Sequence, residues 1–347
     1  MKKYEELADT LRRRIIEGDL APGSRLPAEN DLAGQEGISR QTVRQALSLL
    51  EREGLISKRR GSSTTVADPA GRRLAGRIAV VTTYIGEYIF PDILRGIERT
   101  LAEGGFAPTL LATHNRVESE RTILSELLQG RIDGIIIEGT KTALPNPNID
   151  LFQRLRSKGI PMVFINGYYP DFKPSVHVVA DDRQGGNLAT EYLLRKGHTR
   201  IAGVFKSDDI QGHRRYAGYA GALRRAGQAV ADDRVLWYMT ETCDTLIENS
   251  LIKAVENCTA LLCYNDEVAV KALRRLQVNG IAVPGEIAVI GFDDSIFGSL
   301  ASPRITSLSL SKEEIGCRAA TSLTDLIAGR QTGPQILSWR LIEKEST

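Results

Sequence analysis

Short apolar runs alternate with helical patterns from about residue 77 to the end of the chain. Each run has four to six residues, and the stretch that follows most of them spaces its apolar residues as a helix does. Runs of this kind are typical of strands buried on both faces of a parallel sheet. They span residues 78–82, 109–113, 134–138, 162–166, 177–180, 201–205, 235–239, 260–264 and 287–292. The pattern predicts an α/β fold with doubly wound parallel sheets.

Two of these runs begin with nearly the same sequence. Residues 77–81 read RIAVV and residues 200–204 read RIAGV. The repetition predicts two similar lobes that follow each other along the chain. In open parallel sheets a ligand binds beyond the carboxyl ends of the strands, so two facing lobes predict a cleft between those ends.

The region before residue 77 contains a stretch, 39–54, that is typical of a recognition helix. Ser39 is a good N-cap, and Gly54 lies where a left-handed residue commonly ends a helix. One face is apolar (Val43, Ala46, Leu47 and Leu50), and the other begins with Arg40, Gln41, Arg44 and Gln45. Arginine and glutamine pair bidentately with guanine and adenine edges in the major groove. Because a short helix is predicted just before it, at 29–35, we interpret the pair as a helix-turn-helix.

The flanking segments complete a small DNA-binding domain. Residues 4–18 predict an amphipathic helix that ends at Gly18, and residues 55–66 predict a two-stranded hairpin centred on Gly61. Basic side chains near the hairpin tip (Lys58, Arg59 and Arg60) could reach phosphates or the minor groove. Residues 69–76 have no apolar period and predict a linker.

Charge and composition limit the function classes. The net charge is only +2, although residues 1–75 hold 14 Lys+Arg against 11 Asp+Glu, so useful DNA affinity predicts a dimer. The chain shows no signal peptide and no membrane-length apolar run, which predicts a cytoplasmic protein without membrane contact. The four cysteines (Cys243, Cys258, Cys263 and Cys317) form no CxxC pair and predict reduced thiols. With four scattered histidines, neither a metal site nor a cofactor is predicted.

Sequence signs of an enzyme are weak. No GxGxxG or GxxxxGK[ST] motif is present, which disfavours a nucleotide-dependent enzyme. Three acidic pairs, at 181–182, 208–209 and 293–294, could suggest acid–base chemistry. Such pairs at strand ends are commonly helix caps, and no nucleophile motif accompanies them. We predict a protein that is not an enzyme.

Residues 1–68 resemble a GntR-type winged helix. The matching pieces are Leu26-Pro27-Ala28-Glu29, Ile38-Ser39-Arg40, Thr42-Val43-Arg44, Ala46-Leu47 and Gly54-Leu55-Ile56. The resemblance implies that Arg40 and Arg44 read bases and that Arg60 enters the minor groove. Glu29 and Gln41 would lie at the same surface, and we add Lys3 as a DNA-binding candidate. The wing departs from the family pattern, because Ser63 and Thr65 replace its second glycine and its phenylalanine.

Residues 77–347 resemble the LacI/GalR-type effector domain, which is related to periplasmic sugar-binding proteins. The matching pieces include Val179-Ala180-Asp181-Asp182, Gly197-His198, Gly218-Tyr219, Cys263-Tyr264-Asn265-Asp266 and Gly291-Phe292-Asp293-Asp294. A GntR-type winged helix fused to this domain resembles the arabinose-repressor family, as do the segments at 82–98, 205–212 and 262–267. The resemblance implies a homodimeric repressor that binds a palindromic operator and responds to a sugar, expected to be L-arabinose.

Candidate effector residues follow from their positions at predicted strand ends, where a sugar needs polar groups and an aromatic surface. They are Tyr84, Tyr88, Phe90, Glu138, Asn166, Lys206, Asn265 and Asp293, together with Arg215, which the resemblance assigns to the effector site. For Tyr88 and Phe90 a packing role is favoured, because aromatic residues after a strand commonly belong to the core.

Several alternatives remain open from the sequence. Another sugar could be the effector, and Lys206 with Arg215 could accommodate a sugar phosphate, although Asp208 and Asp209 favour a neutral sugar. A solute-binding transport receptor is a different class, which the winged helix opposes. An enzyme is the third alternative. Whether the sugar releases or strengthens DNA binding is not specified.

Overall fold

The structure is a computed structural model that describes residues 3–16, 19–21, 23–52, 55–58, 63–66, 74–172, 174 and 176–347. The helices are α1 (Lys3–Ile16), α2 (Glu29–Glu36), α3 (Arg40–Arg52), α4 (Phe90–Glu103), α5 (Val117–Gln129), α6 (Ile149–Ser157), α7 (Asp182–Arg195), α8 (Ile210–Arg225), α9 (Cys243–Val255), α10 (Asp266–Val278), α11 (Ile296–Leu300) and α12 (Lys312–Ile327). The strands are β1 (Ile56–Ser57), β2 (Thr65–Val66), β3 (Arg77–Thr82), β4 (Ala107–Ala112), β5 (Gly134–Glu138), β6 (Met162–Ile165), β7 (His177–Ala180), β8 (Ile201–Lys206), β9 (Val235–Tyr238), β10 (Ala260–Cys263), β11 (Ala288–Phe292), β12 (Thr306–Ser309), β13 (Gln335–Leu337) and β14 (Arg340–Ile342).

The N-terminal domain is a winged helix. The Ser39 hydroxyl accepts a hydrogen bond from the backbone N–H of Thr42 at 3.2 Å, which confirms Ser39 as the N-cap of α3. All four residues of the predicted apolar face of α3 are buried in one core with Leu7 and Leu11 of α1. The helix pair predicted at 29–35 and 40 onward is therefore confirmed as α2 and α3. Gly18 and Gly54 lie outside the described residues.

The hairpin after α3 is confirmed as a short antiparallel pair. Ile56 pairs with Val66, and Ser57 pairs with Thr65. The buried Ile56 and Val66 join the core beneath α3 and fix the hairpin to it. Arg59, Arg60 and Gly61 at the predicted tip lie outside the described residues, as does most of the predicted linker.

Two six-stranded sheets form the effector domain. Lobe one has the strand order β13-β7-β6-β5-β3-β4, and lobe two has β14-β12-β11-β10-β8-β9. Every pairing in lobe one is parallel, and in lobe two only β14 is antiparallel. In each lobe the strand order changes direction beside the strand that comes first in the sequence, which is β3 in lobe one and β8 in lobe two. A doubly wound sheet binds ligands at this point. All nine predicted runs correspond to strands.

The chain crosses between the lobes three times, whereas the sequence predicted two lobes that follow each other along the chain. It passes from lobe one to lobe two after β7, returns with α12, and crosses again between β13 and β14. The strand β13 pairs with β7 and completes the sheet of lobe one. The predicted pair of lobes is correct, but lobe one is completed by residues that come after nearly all of lobe two.

Glycines bring two helices into backbone contact in each lobe. In lobe one, a Cβ on Gly96 of α4 would lie 2.2 Å from the carbonyl oxygen of Glu313 in α12. In lobe two, a Cβ on Gly186 of α7 would lie 2.0 Å from the carbonyl oxygen of Arg215 in α8. No side chain fits at either place, so both helix pairs require glycine. The second contact also brings Arg215 toward α7.

The described part of the chain includes no helix with both the length and the apolar character of a membrane span. All four cysteines are free thiols.

Candidate functional site

The solvent-facing side of α3 carries the side chains that the sequence predicts for base contact. Arg40, Gln41 and Arg44 are exposed, whereas the opposite face of the helix is buried. Lys3, at the start of α1, is exposed as well. Arg60, another of the candidates, lies outside the described residues.

Glu29 connects the recognition helix to the wing. Its Oε2 accepts hydrogen bonds from Arg44 Nη2 at 3.1 Å and Nε at 3.3 Å, and its Oε1 accepts one from Lys58 Nζ at 2.6 Å. The bonds from Lys58 and then Arg44 hold the pKa of Glu29 below its ordinary value. Glu29 thus orients two cations at this surface. Lys58 is shown to be a partner of Glu29, which the sequence did not predict.

All nine predicted effector residues line one cavity of about 780 Å³ between the lobes. They converge because the carboxyl ends of β3, β5 and β6 face those of β8, β10 and β11 across the cleft. Lobe one contributes Tyr84, Tyr88, Phe90, Glu138 and Asn166, and lobe two contributes Lys206, Arg215, Asn265 and Asp293.

Glu138, the last residue of β5, is held in place by lobe one. Its Oε1 accepts a hydrogen bond from Asn166 Nδ2 at 2.7 Å, and its Oε2 accepts bonds from the backbone N–H of Thr83 (2.9 Å) and the Thr83 hydroxyl. Burial raises the pKa of Glu138, and the bonds from Thr83 and Asn166 oppose that shift. The carboxylate is a fixed acceptor for hydroxyl groups in the cavity.

Lys206, the last residue of β8, has an ammonium group without a close partner in the described part of the chain. Its Nζ lies 3.9 Å from Asp208 Oδ1 and 3.9 Å from Asp209 Oδ2, beyond hydrogen-bond distance. Burial lowers the pKa of Lys206, but Asp209 and Asp208 more than offset this effect, so the pKa is raised. The group stays charged and has three N–H donors to offer a ligand.

Arg215 is an anchor in the wall of the cleft. Its guanidinium donates from Nε to Asp182 Oδ1 at 2.9 Å and from Nη1 to the carbonyl oxygen of Tyr264. The rings of Phe292 and Trp339 lie over the same group at 4.3 and 5.1 Å. Burial raises the pKa of Asp182 to about 6, although Arg215 acts in the opposite direction. This ion pair, which the sequence did not predict, fixes the arginine before any ligand contacts it.

The two aromatic residues for which packing was favoured behave differently. Phe90 is buried in the core of lobe one, edge-on to Tyr84 at 6.0 Å, as expected. Tyr88 instead spans the cleft: its hydroxyl donates to Asp293 Oδ2 at 2.6 Å and accepts from the backbone N–H of Asp266 at 3.2 Å. The ring of Tyr88 stacks on Phe297 at 6.1 Å, so Tyr88 lies at the boundary between the lobes rather than in the core of one lobe.

Asn265 caps a helix at the cavity wall. Its Oδ1 accepts a hydrogen bond from the backbone N–H of Val268 at 3.0 Å, so it is the N-cap of α10. Within the described ranges the Asn265 amide nitrogen donates no hydrogen bond, so it can contact a ligand. Asp181 and Asp209 likewise cap α7 and α8, as expected for the acidic pairs.

The cavity wall also includes residues that were not predicted as effector contacts, and four of them are polar or aromatic residues at strand ends. They are Asn115, Asp209, Tyr238 and Tyr264. Each ends a strand or follows one by a few residues, so the positional rule that found Glu138 could also have found them. Among the residues that the structure describes, no group of His, Cys, Asp and Glu is arranged to hold a metal ion.

Two family models match separate parts of the chain. Residues 3–66 match the model of bacterial regulatory proteins of the gntR family, and residues 190–347 match a periplasmic binding protein-like domain. A solved structure of the transcriptional regulator CelR in complex with cellobiose has a TM-score of 0.71 at 24% identity, covering 93% of this chain and 100% of that one. At that identity it supports the fold.

Two relatives align over nearly the whole length. The arabinose metabolism transcriptional repressor of Geobacillus stearothermophilus is 38% identical, covering 100% of this chain and 98% of its own. The protein of the same name from Halalkalibacterium halodurans is 36% identical, covering 94% of this chain and 89% of its own. At this identity over this length, the chain belongs to the family of arabinose metabolism transcriptional repressors, which are DNA-binding regulators and not enzymes.

Proposed function

We propose that this protein represses arabinose utilisation genes as a homodimer and that L-arabinose in the cleft releases it from a palindromic operator. Domain boundaries at residues 1–68, 69–76 and 77–347 would give a winged helix, a linker and an effector domain. The protein would act in the cytoplasm, where its operator lies.

The arrangement of charged side chains in the cleft is the observation that supports a sugar as the effector. Lys206 offers unshared N–H donors, while the fixed Glu138 and the neighbouring Asp209 offer acceptors. A sugar hydroxyl both donates and accepts, so a polyol satisfies both kinds of group at once. The rings of Tyr84, Tyr238 and other aromatic residues supply the surface that a sugar ring needs.

A sugar phosphate is the second candidate, and the ion pairs oppose it. The guanidinium of Arg215 is already bonded to Asp182, and Lys206 lies between Asp208 and Asp209. A phosphate dianion here would meet carboxylates without an unshared arginine. The names of the two relatives favour arabinose among neutral sugars.

The mechanism couples the cleft to the DNA surface. A sugar that contacts Glu138 in lobe one and Lys206 in lobe two stabilises the closed arrangement of the lobes. In a dimer, closure changes the separation of the two α3 helices, which a palindrome requires to be roughly 34–36 Å or a multiple of it. Coupling of about 1–3 kcal/mol per effector is usual for such systems and is sufficient for release.

At the DNA surface, Arg40 and Arg44 would read bases, with Gln41 beside them. Glu29 would hold Arg44 in place, while Lys3 and Arg60 would contact the backbone or the minor groove. Exposure of the α3 face and the bonds that Arg44 donates to Glu29 support these roles.

Calorimetric titration of the purified protein tests the effector, with L-arabinose beside glucose, galactose, xylose and a sugar phosphate. We expect saturable heat with L-arabinose alone. A DNA duplex selected from a random library by the same protein would then be released by L-arabinose in a fluorescence anisotropy titration. Heat with another sugar would overturn the arabinose assignment, and tighter DNA binding with L-arabinose would overturn the direction of the response.

A further inference from the structure

Asp208 lies between the two lobes but does not line the cavity. It follows β8 in lobe two and is fully buried. Its Oδ2 accepts hydrogen bonds from Asn115 Nδ2 of lobe one at 3.2 Å and from the Thr240 hydroxyl of lobe two at 3.1 Å. Its backbone carbonyl accepts a further bond from the N–H of Ala143 in lobe one at 3.3 Å. Asp208 is therefore attached to lobe one through both its side chain and its main chain.

Lobe one presents its half of this contact on unusual backbone. Asn115 and Lys141 both have positive φ angles, of 52° and 46°. Residues other than glycine hold this conformation only where the surroundings fix it, and such positions concentrate at functional sites. Here the Asn115 side chain does so: its Oδ1 accepts a bond from the backbone N–H of Lys141 at 3.0 Å, and its Nδ2 reaches Asp208 and, at 2.6 Å, Thr240.

The same loop of lobe two carries the ligand-facing groups. Lys206 and Asp209 flank Asp208 in sequence, and both line the cavity. Asp209 Oδ1 accepts a bond from the Thr142 hydroxyl of lobe one at 3.0 Å. Asp208 Oδ1 has no hydrogen-bond partner within the described ranges, and the Lys206 ammonium at 3.9 Å is a cation near it. The cross-lobe bonds of Asp208, from Asn115 to its side chain and from Ala143 to its main chain, exist only while the lobes are together, whereas its bond from Thr240 lies within lobe two.

We propose that Asp208 is a positioning residue: its bond to Asn115 holds the lobes closed and places Lys206 and Asp209 for the effector. The apparent affinity for the effector would then be proportional to the fraction of molecules in which this contact is formed. The inference rests on the proposed function for the identity of the effector, but not for the contact itself. Weakening the contact would favour the open, DNA-bound form and raise the sugar concentration needed for release.

An exchange of the two side chains tests the contact. Asn115→Asp places two carboxylates against each other without new backbone strain, because aspartate also tolerates positive φ. Asn115→Asp combined with Asp208→Asn restores one amide and one carboxylate with their positions exchanged. The matched control is Asn279→Asp, since Asn279 is an exposed amide directly after the C-terminal end of α10, outside the cleft.

Two measurements are made on each full-length protein: the radius of gyration without sugar, by small-angle X-ray scattering, and the Kd for L-arabinose, by calorimetry. For Asn115→Asp we expect a larger radius and a Kd raised about tenfold, as a tenfold smaller closed fraction requires. The exchanged double variant should regain the native radius and come within about threefold of the native Kd. Asn279→Asp should match the native protein.

A double variant that stays open while its thermal unfolding is native-like would overturn the proposal. A native radius of gyration in Asn115→Asp would also overturn the proposal. A residue that only contacts the sugar would change the Kd without changing the radius. If Asn115→Asp does not fold, the single Asp208→Ala variant, which removes the acceptor, carries the test, and an unchanged radius there also overturns the proposal. If the native protein gives no heat with L-arabinose, the assignment of L-arabinose as the effector is refuted. The scattering measurements still test whether the bond between Asp208 and Asn115 holds the lobes closed.

Discussion

The winged helix and the effector cleft each contain an arginine paired with a carboxylate, at opposite extremes of burial. The Arg44 and Glu29 side chains are 62% and 16% exposed, whereas those of Arg215 and Asp182 are 2% and 0% exposed. The bond lengths are similar, 3.1 and 2.9 Å. An exposed pair contributes about 0–1 kcal/mol to stability, but removing one partner of a buried pair costs about 3–5 kcal/mol.

The difference in burial determines whether the arginine can exchange its carboxylate partner when a ligand binds. At the DNA surface, a base edge or water can replace Glu29, so Arg44 remains exchangeable. In the cleft, another carboxylate, that of Asp293, lies 3.9 Å from Arg215 Nη2, beyond hydrogen-bond distance, so the bond to Asp182 fixes Arg215 in the wall. The pKa values shift in opposite directions: cations lower the pKa of Glu29, and burial raises that of Asp182 to about 6. Four substitutions test this contrast.

The largest effect is expected for Arg215→Met. The substitution keeps much of the volume but leaves Asp182 buried without its partner, so the free energy of unfolding should fall by about 3–5 kcal/mol. Urea denaturation followed by tryptophan fluorescence measures it, because both tryptophans lie in the effector domain. The control is Arg225→Met on the same helix, where the pair with Glu191 is exposed and should contribute about 0–1 kcal/mol. Equal losses in the two variants would contradict the contrast.

Arg44→Ala should affect DNA recognition rather than stability. We expect a loss of about 1–3 kcal/mol of discrimination at one base position, with little change in unfolding. Anisotropy titrations with a selected operator and its single-base variants measure this loss. Arg318→Ala removes another exposed arginine, on α12, and should leave the base preference unchanged. An unaltered preference in Arg44→Ala would refute the base-reading role.

Asp182→Asn should change how stability depends on pH. The pKa of Asp182 is higher in the folded state, at about 6, than the ordinary 3.8 of the unfolded chain. The folded protein therefore binds this proton first as the pH falls, and the associated stability is lost as the pH rises through 6. The native protein's margin over Asp182→Asn should be about 1 kcal/mol larger at pH 5 than at pH 7. Urea denaturation at both pH values checks the sign, and a margin that shrinks at pH 5 would reverse it.

The smallest change in stability is expected for Glu29→Gln, within about 0–1 kcal/mol. The substitution removes a negative charge from the DNA surface and releases Arg44 and Lys58 from their shared partner. Affinity for non-specific DNA should therefore rise while preference for the operator falls. Competition titrations with random-sequence DNA separate the two effects. Glu51→Gln makes the same charge change on α3 at another exposed position, and a similar loss of preference there would show that net charge alone is responsible.

Strand positions and cleft residues could be predicted because both depend on local pattern. Apolar runs give the buried strands, and polar residues at their carboxyl ends must share one edge of a parallel sheet. The strand β12 has the sequence Thr-Ser-Leu-Ser and is buried, but it contains no apolar run from which it could be predicted. Such a strand satisfies its polar side chains through tertiary bonds, as Ser307 does by donating to Asp266 at 2.7 Å.

Contacts between distant residues could not be predicted in the same way. The partner of Arg215 is 33 positions away, and nothing local distinguishes Asp182 from Asp181. The hydroxyl of Tyr88 reaches Asp293 only because of how the two lobes face each other. Arrangement of this kind depends on the packing of complete sheets, which a single sequence does not specify.

The three crossings between the lobes set an order of completion during synthesis. Strand β7 is made long before β13, its neighbour at the edge of lobe one, which starts at Gln335. At about 5–20 residues per second, the 155 residues from Ala180 to Gln335 take the ribosome roughly 8–30 s. Strands β8 to β12 emerge as one block within that interval. Lobe one, which begins first, therefore receives its last strand only after every strand of lobe two except β14 has been made, and the edge of β7 stays unpaired until then.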